Sequence, residues 1–140
     1  MIPYKLILAI IMIESGGDPK AIGDDGLAFG ILQIHQAYCI DAGQKAGISW
    51  IHNDAFDPQK ATQMFKAYMA RYATPERLGR DVTAEDIARI HNGGLYGYKR
   101  SSTDAYWAKV KAKLIEYGEH KLANGKVIFE YENQPLQAVY

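Results

Sequence analysis

Cysteine is nearly absent from this chain, and that scarcity excludes a disulfide-built scaffold. A single thiol, Cys39, in 140 residues cannot form an intramolecular disulfide. The fold must stand on packing, which suits synthesis in a reducing compartment. Lone cysteines are mostly small buried hydrophobes, and Cys39 is read as one. An excess of one charge sign is missing too. Sixteen basic side chains balance sixteen acidic ones, so nothing draws the whole chain to nucleic acid or another polyanion. Histidines stand at 35, 52, 91 and 120 with no His-x-x-x-His or Cys-x-x-Cys spacing, so no metal and no cofactor is expected. "GDDGLAFG" lacks the Lys-Ser/Thr ending of a phosphate-binding loop. No apolar run is long enough to span a bilayer, so no stable membrane insertion is expected. "YKLILAIIMI" carries one lysine and no small-residue cleavage pattern before Glu14, which reads as a buried helix and not as an export signal.

What is present is the composition of one globular domain with a real core: 48% hydrophobic and 23% charged residues. The opening apolar run predicts a helix, with Pro3 in its first turn and Gly16 or Gly17 as its C-terminal cap. "HQAYCIDAG" is a short amphipathic piece. Asp57 and Pro58 start a helix over "PQKATQMFKAYMARYA", whose Met64, Phe65, Tyr68 and Met69 recur at core spacing. "TPERLGRD" reads as a loop. Thr83 and Asp86 form a capping box for "AEDIARIHN", which "GG" ends. Ser101 and Asp104 open a last helix with the stripe Tyr106, Trp107, Val110, Leu114 and Tyr117. "KAIGDDG" and "AFGILQI" can pair as a small hairpin around a "GDDG" turn. The tail has an "ANG" turn and a β-prone "KVIFEY". A mainly α (α+β) fold follows, with a catalytic or binding domain over residues 1–117 and a C-terminal extension over 118–140, read as a short terminal hairpin or a strand docked on the domain.

Glu14 is the residue that calls for chemistry. It closes an apolar helix at the negative end of the macrodipole, where both burial and the dipole disfavour its ionised form. That is what a general acid near neutrality needs. A plain helix-end glutamate is the alternative from position alone.

The surrounding blocks add a resemblance. "ESGG", a loop and "GILQI" resemble the lysozyme superfamily, in which Glu-Ser-Gly ends the first long helix and a Gly-x-x-Gln-Ile strand crosses the cleft. "ILQIHQAYCIDAG", "AYMARYAT" and "DIARIHNGGLYGYKRSSTDAYWAKV" are similar to the invertebrate-type lysozymes, the destabilase family, and to their phage and bacterial relatives. The resemblance runs from about Ile11 to Val110. It implies a lysozyme-like fold with a small hairpin beside the active-site cleft. Family members are rich in disulfides, whereas "ESGGDP", "LAFG" and "LYGYKR" here hold no cysteine, as suits a phage or bacterial version.

The same resemblance implies roles. Glu14 matches the family's catalytic acid. The second carboxylate falls in "GDDGLAFG", where Asp24 aligns by its Asp-x-Gly spacing and Asp25 stays open; turn chemistry is the competing explanation for either. Gly30 and Gln33 stand where the family's strand meets sugar. Tyr38 is a sugar platform or a core aromatic. His91 and Asn92 border the cleft in the family, or simply end a helix; Tyr96 and Tyr106 are further substrate candidates. Around Ser49, "GISWIHND" has Ile51 and His52 where an isopeptidase lysine would be expected, so that activity is not expected. The implied function is a cell-wall muramidase, a lysozyme, acting as a monomer on peptidoglycan or on chitin oligosaccharides. Without a signal peptide, it is expected to be made in the cytoplasm and to reach the wall by phage-type release or host lysis. A lytic transglycosylase and a catalytically silent glycan-binding or virion component are the alternatives.

Overall fold

The computed structural model describes residues 2–118, with the backbone of 120–121 and 127–128. The described residues form two compact units: one combines residues 2–9 with residues 73–118, and the other runs from Ile10 to Tyr72. Helix α1 (Tyr4–Ser15) starts in the first and ends in the second. Its Leu6, Ile7, Ala9 and Ile10 are buried. Gly16, at φ +65°, ends it by donating its N–H to the Met12 carbonyl at 3.1 Å.

The Ile10–Tyr72 unit continues into a hairpin of β1 (Ile22–Gly23) and β2 (Ala28–Phe29), paired antiparallel with Ile22 opposite Phe29 and Gly23 opposite Ala28. The expected hairpin is therefore present but short. "GILQ" is a turn and not a strand: the Gln33 N–H reaches the Gly30 carbonyl at 3.1 Å, and Ile34 returns to pair with Phe29. Helix α2 (Gln36–Ala46) is longer than the short piece expected. It runs through Gly43, where the Ile48 carbonyl leaves no room for a Cβ. Helix α3 (Pro58–Tyr72) packs against α2. Asp57 caps α3, its side chain accepting from the Lys60 N–H at 3.0 Å.

The stripe read as core is core, since Met64, Phe65, Tyr68 and Met69 are all buried. At the far end of α3, Arg71 donates to the Asp41 carbonyl at 3.0 Å and to Gln44 at 2.9 Å, and the Tyr72 hydroxyl meets Asp41 at 3.0 Å. Cys39 is buried, as expected of a small hydrophobe, and burial followed by the Asp54 charge pushes its thiol up.

The other unit holds α4 (Pro75–Leu78), α5 (Ala84–Gly93) and α6 (Asp104–Glu116). The short α4 corrects the loop expected at "TPERLGRD". Thr74 accepts the Arg77 N–H at 3.2 Å and Pro75 takes the first helical position, but four residues are too few to show an apolar period. The capping box before α5 forms as read: Asp86 N–H to Thr83 Oγ1 at 3.2 Å, and Thr83 N–H to Asp86 Oδ2 at 2.9 Å. Buried Asp86 is also gripped by the Arg80 guanidinium at 2.6 and 2.8 Å, which holds the arginine above its usual pKa.

After α5, Arg89 and Thr103 stitch two 3-10 turns together. Arg89 donates to Thr103 Oγ1 at 2.7 Å and to the Arg100 carbonyl at 2.8 Å, and the Thr103 hydroxyl reaches the Gly97 carbonyl at 2.7 Å. Gly97 lies so close to α5 that a Cβ would collide with the Arg89 carbonyl. On α6, Val110 and Leu114 are fully buried, while Tyr106, Trp107 and Tyr117 are half-buried. Strands β3 (His120–Lys121) and β4 (Val127–Ile128) pair antiparallel. The rest of the expected extension, the "ANG" turn included, lies outside the described residues.

Gly97→Ala should lower stability by about 2 kcal/mol, because backbone and not a flexible side chain blocks the methyl. Asp86→Ala should cost about 2 kcal/mol and Thr83→Ala about 1 kcal/mol. Urea unfolding midpoints of the three variants check the order. Cys39 should react with a thiol reagent only as the protein unfolds, which denaturant-dependent labelling would follow.

Candidate active site

Most of the candidate chemistry falls within the Ile10–Tyr72 unit. Glu14 is the penultimate residue of α1 and half-buried. Its neighbour Ser15 fixes the helix end in place. The Ser15 hydroxyl donates to the Ile31 carbonyl at 2.8 Å, with the Ile11 carbonyl at 3.3 Å, and accepts the Gly17 N–H at 3.1 Å. The end of α1 is thereby tied to the Gly30–Gln33 turn. Glu14 also lies close enough to Tyr38 for its charge to act there: burial first, then Tyr68, then Glu14 push the Tyr38 hydroxyl well above the usual phenol range. Tyr38 therefore stays a neutral hydroxyl beside the acid.

Of its two readings, Tyr38 takes the core one. It is 9% exposed and its ring stacks on Tyr68 at 3.7 Å between centroids. That face is closed to a sugar. Gly30 and Gln33 are likewise engaged within the protein. Gly30 is buried at φ +79°, and a Cβ on it would run into the Ala55 carbonyl, so the close approach that demands glycine is to the protein's own backbone. The Gln33 amide donates to the Ala21 carbonyl at 3.2 Å and the Gly30 carbonyl at 3.0 Å, and its oxygen covers Gly23. Both residues shape the turn beneath the site. A stack completes that support: Phe29 lies against His52 at 3.7 Å and Phe56 at 4.5 Å, and His52 donates to the Ile34 carbonyl at 2.7 Å.

Asp24 and Asp25 sit between the hairpin strands, exposed, with φ of 50° and 55°. Two successive non-glycine residues in the left-handed region are costly, each by roughly 1–3 kcal/mol, and persist only where their surroundings hold them. Here the Leu27 N–H bonds the Gly23 carbonyl at 3.0 Å and the Asp24 carbonyl at 3.2 Å, closing the loop. His35 holds the Asp24 side chain, Nε2 to Oδ2 at 2.7 Å. Asp24 thus has a side-chain partner in addition to its place in the turn.

His35 and Ser15 are the residues that sequence reading missed as parts of the site. His35 was visible only as one scattered histidine; its place just after "GILQI" was the available signal. Ser15 stood in the "ESGG" block without a role of its own.

His91, Asn92, Tyr96 and Tyr106 belong to the other unit. His91 is buried near the end of α5, Asn92 and Tyr96 are exposed, and Tyr106 is half-buried on α6. Tyr96 is flanked by cations, Lys99 at 4.9 Å and Arg77 at 5.6 Å from its ring centroid. Among the described residues no group of three His, Cys, Asp or Glu side chains could hold a metal ion, and no helix is long and apolar enough to cross a membrane.

Comparison with known proteins matches this architecture to one family. The Destabilase family profile matches residues 5–113. An invertebrate-type lysozyme of Ruditapes philippinarum is 42% identical over 113 residues, covering 76% of this chain and 78% of that protein. Lysozyme 1 of Crassostrea virginica is 36% identical over 115 residues, which is 81% of this chain but 60% of the oyster protein's length. Among solved structures, Meretrix lusoria lysozyme in complex with Aeromonas hydrophila PliI superposes with a TM-score of 0.68 at 34% identity, over 79% of this chain and 89% of that one. The chain belongs to the Destabilase family, that of the invertebrate-type lysozymes, and falls in their class of glycoside hydrolase.

Proposed function

We propose that this protein is a muramidase, cleaving the β-1,4 bond between N-acetylmuramic acid and N-acetylglucosamine in peptidoglycan, with Glu14 as general acid and Asp24 as the second carboxylate. The observation that carries the reading is that separate devices hold two carboxylates in one unit. Ser15 anchors the helix end that bears Glu14, and His35 holds Asp24 in a strained loop.

The two-carboxylate scheme has a lysozyme as its type case, and it is carried over here as a scheme. Protonated Glu14 gives its proton to the glycosidic oxygen as the bond to the anomeric carbon breaks. Positive charge grows on that carbon and the ring oxygen, and ionised Asp24 stabilises or traps it. Water then adds to the anomeric carbon, its proton returns to Glu14, and a reducing end is left. A transglycosylase route, in which the muramic acid 6-hydroxyl replaces water, has no need of a held aspartate. Of the other unit's candidates, Asn92 and Tyr96 are exposed, as sugar contact requires, and His91 is buried. Chitin oligosaccharides share the acetylated sugar and are proposed as weaker substrates.

Glu14→Gln keeps the shape of the side chain and removes its proton. It should slow lysis of purified walls by at least about a hundredfold. The wild-type products should carry reducing ends; 1,6-anhydro ends would overturn the hydrolase reading in favour of transglycosylation. Asp24→Asn should lose about a hundredfold in kcat, while Asp25→Asn should change it little. The reverse order would assign the partner role to Asp25.

A further inference from the structure

We propose that His35 is a positioning residue for Asp24. Its imidazole ties up one carboxylate oxygen and thereby presents the other to the sugar. The inference rests on the muramidase reading of Asp24 above.

The contact sets the roles for a carboxylate partner. A carboxylate oxygen can only accept, so with Asp24 as carboxylate the 2.7 Å contact has Nε2 donating to Oδ2. A bond of that length to an ionised acceptor is a strong, directional one. The frame behind the ring is stiff. His35 follows fully buried Ile34, whose N–H and carbonyl both pair with Phe29, at 2.9 and 3.1 Å. Its own carbonyl takes the Cys39 N–H at 3.0 Å in the first turn of α2. It occupies the N-cap position, yet its side chain makes no capping bond; the ring turns to Asp24 instead.

Asp24 needs such a holder. Its side chain is 68% exposed and that of His35 47%, so the pair adds little to stability. A short exposed carboxylate left alone would sample several rotamers, and misplacement by about 1 Å can cost a hundredfold in rate. Asp25, next door in the same loop, makes no side-chain hydrogen bond among the described residues. The histidine therefore also distinguishes which of two adjacent aspartates is held for work.

The test uses wild type, His35→Ala, His35→Gln, Glu14→Gln, and Asp24→Asn with and without His35→Ala. For each, kcat and KM are measured on a soluble peptidoglycan oligosaccharide, alongside the thermal unfolding midpoint. His35→Ala should lower kcat by about tenfold, with KM and the midpoint near wild type. His35→Gln should recover most of the loss, since its amide can donate from near the Nε2 position. In the Asp24→Asn background the alanine change should have no further effect. A His35→Ala enzyme with wild-type kcat overturns the proposal, and so does a loss of equal size with Asp24 already removed. A lowered midpoint that glutamine does not rescue would make His35 merely structural and overturns it too. A wild type no more active than Glu14→Gln overturns the muramidase reading itself, and the positioning role with it.

Discussion

The Ser15 hydroxyl makes the connection on which the candidate site depends. A helix end is where backbone bonding runs out, and an acid placed there would ordinarily fray with the last turn. By donating to Ile31 and accepting from Gly17, Ser15 joins α1 to the turn that follows β2 and sets how the chain leaves the helix. The same turn is pinned from beneath by Gln33 and by the packing of Gly30 on Ala55. Glu14 is thus carried on a helix end that hydrogen bonds tie to the following turn rather than on a free terminus.

The second carboxylate is held on a different principle. Glu14 takes its place from a regular element, whereas Asp24 takes its place from strain. The left-handed conformations of Asp24 and Asp25 store energy that a two-stranded hairpin could not oppose by itself. The closing Leu27 bonds and the His35 ring supply what the hairpin lacks. One carboxylate is half-buried at a helix end and the other stands open to water in a loop.

Much of this was legible in the sequence because the signals were local. The helix under "PQKATQMFKAYMARYA", the Thr83–Asp86 capping box and the glycine stop after Ser15 are all written within a few residues of where they act. What was not legible depended on contacts across the chain. Nothing in the run around Gly43 says that the Ile48 carbonyl will fold back so close that only glycine fits inside α2. Nothing in "GILQI" tells that Gln33 will turn inward to Ala21, or that Tyr38 will spend its face on Tyr68. His35 shows the limit most clearly, for its meaning comes from a partner eleven residues earlier.

The seat of Gly30 has a consequence for how such a chain can diverge. Its Cα is hard against a carbonyl of the main chain, and the facing residue, Ala55, cannot make room by shedding atoms, because the obstruction is backbone and not side chain. Trimming the facing side chain therefore cannot make room for a change at position 30. A residue larger than glycine at this point requires the main chain at Ala55 and Phe56 to move aside.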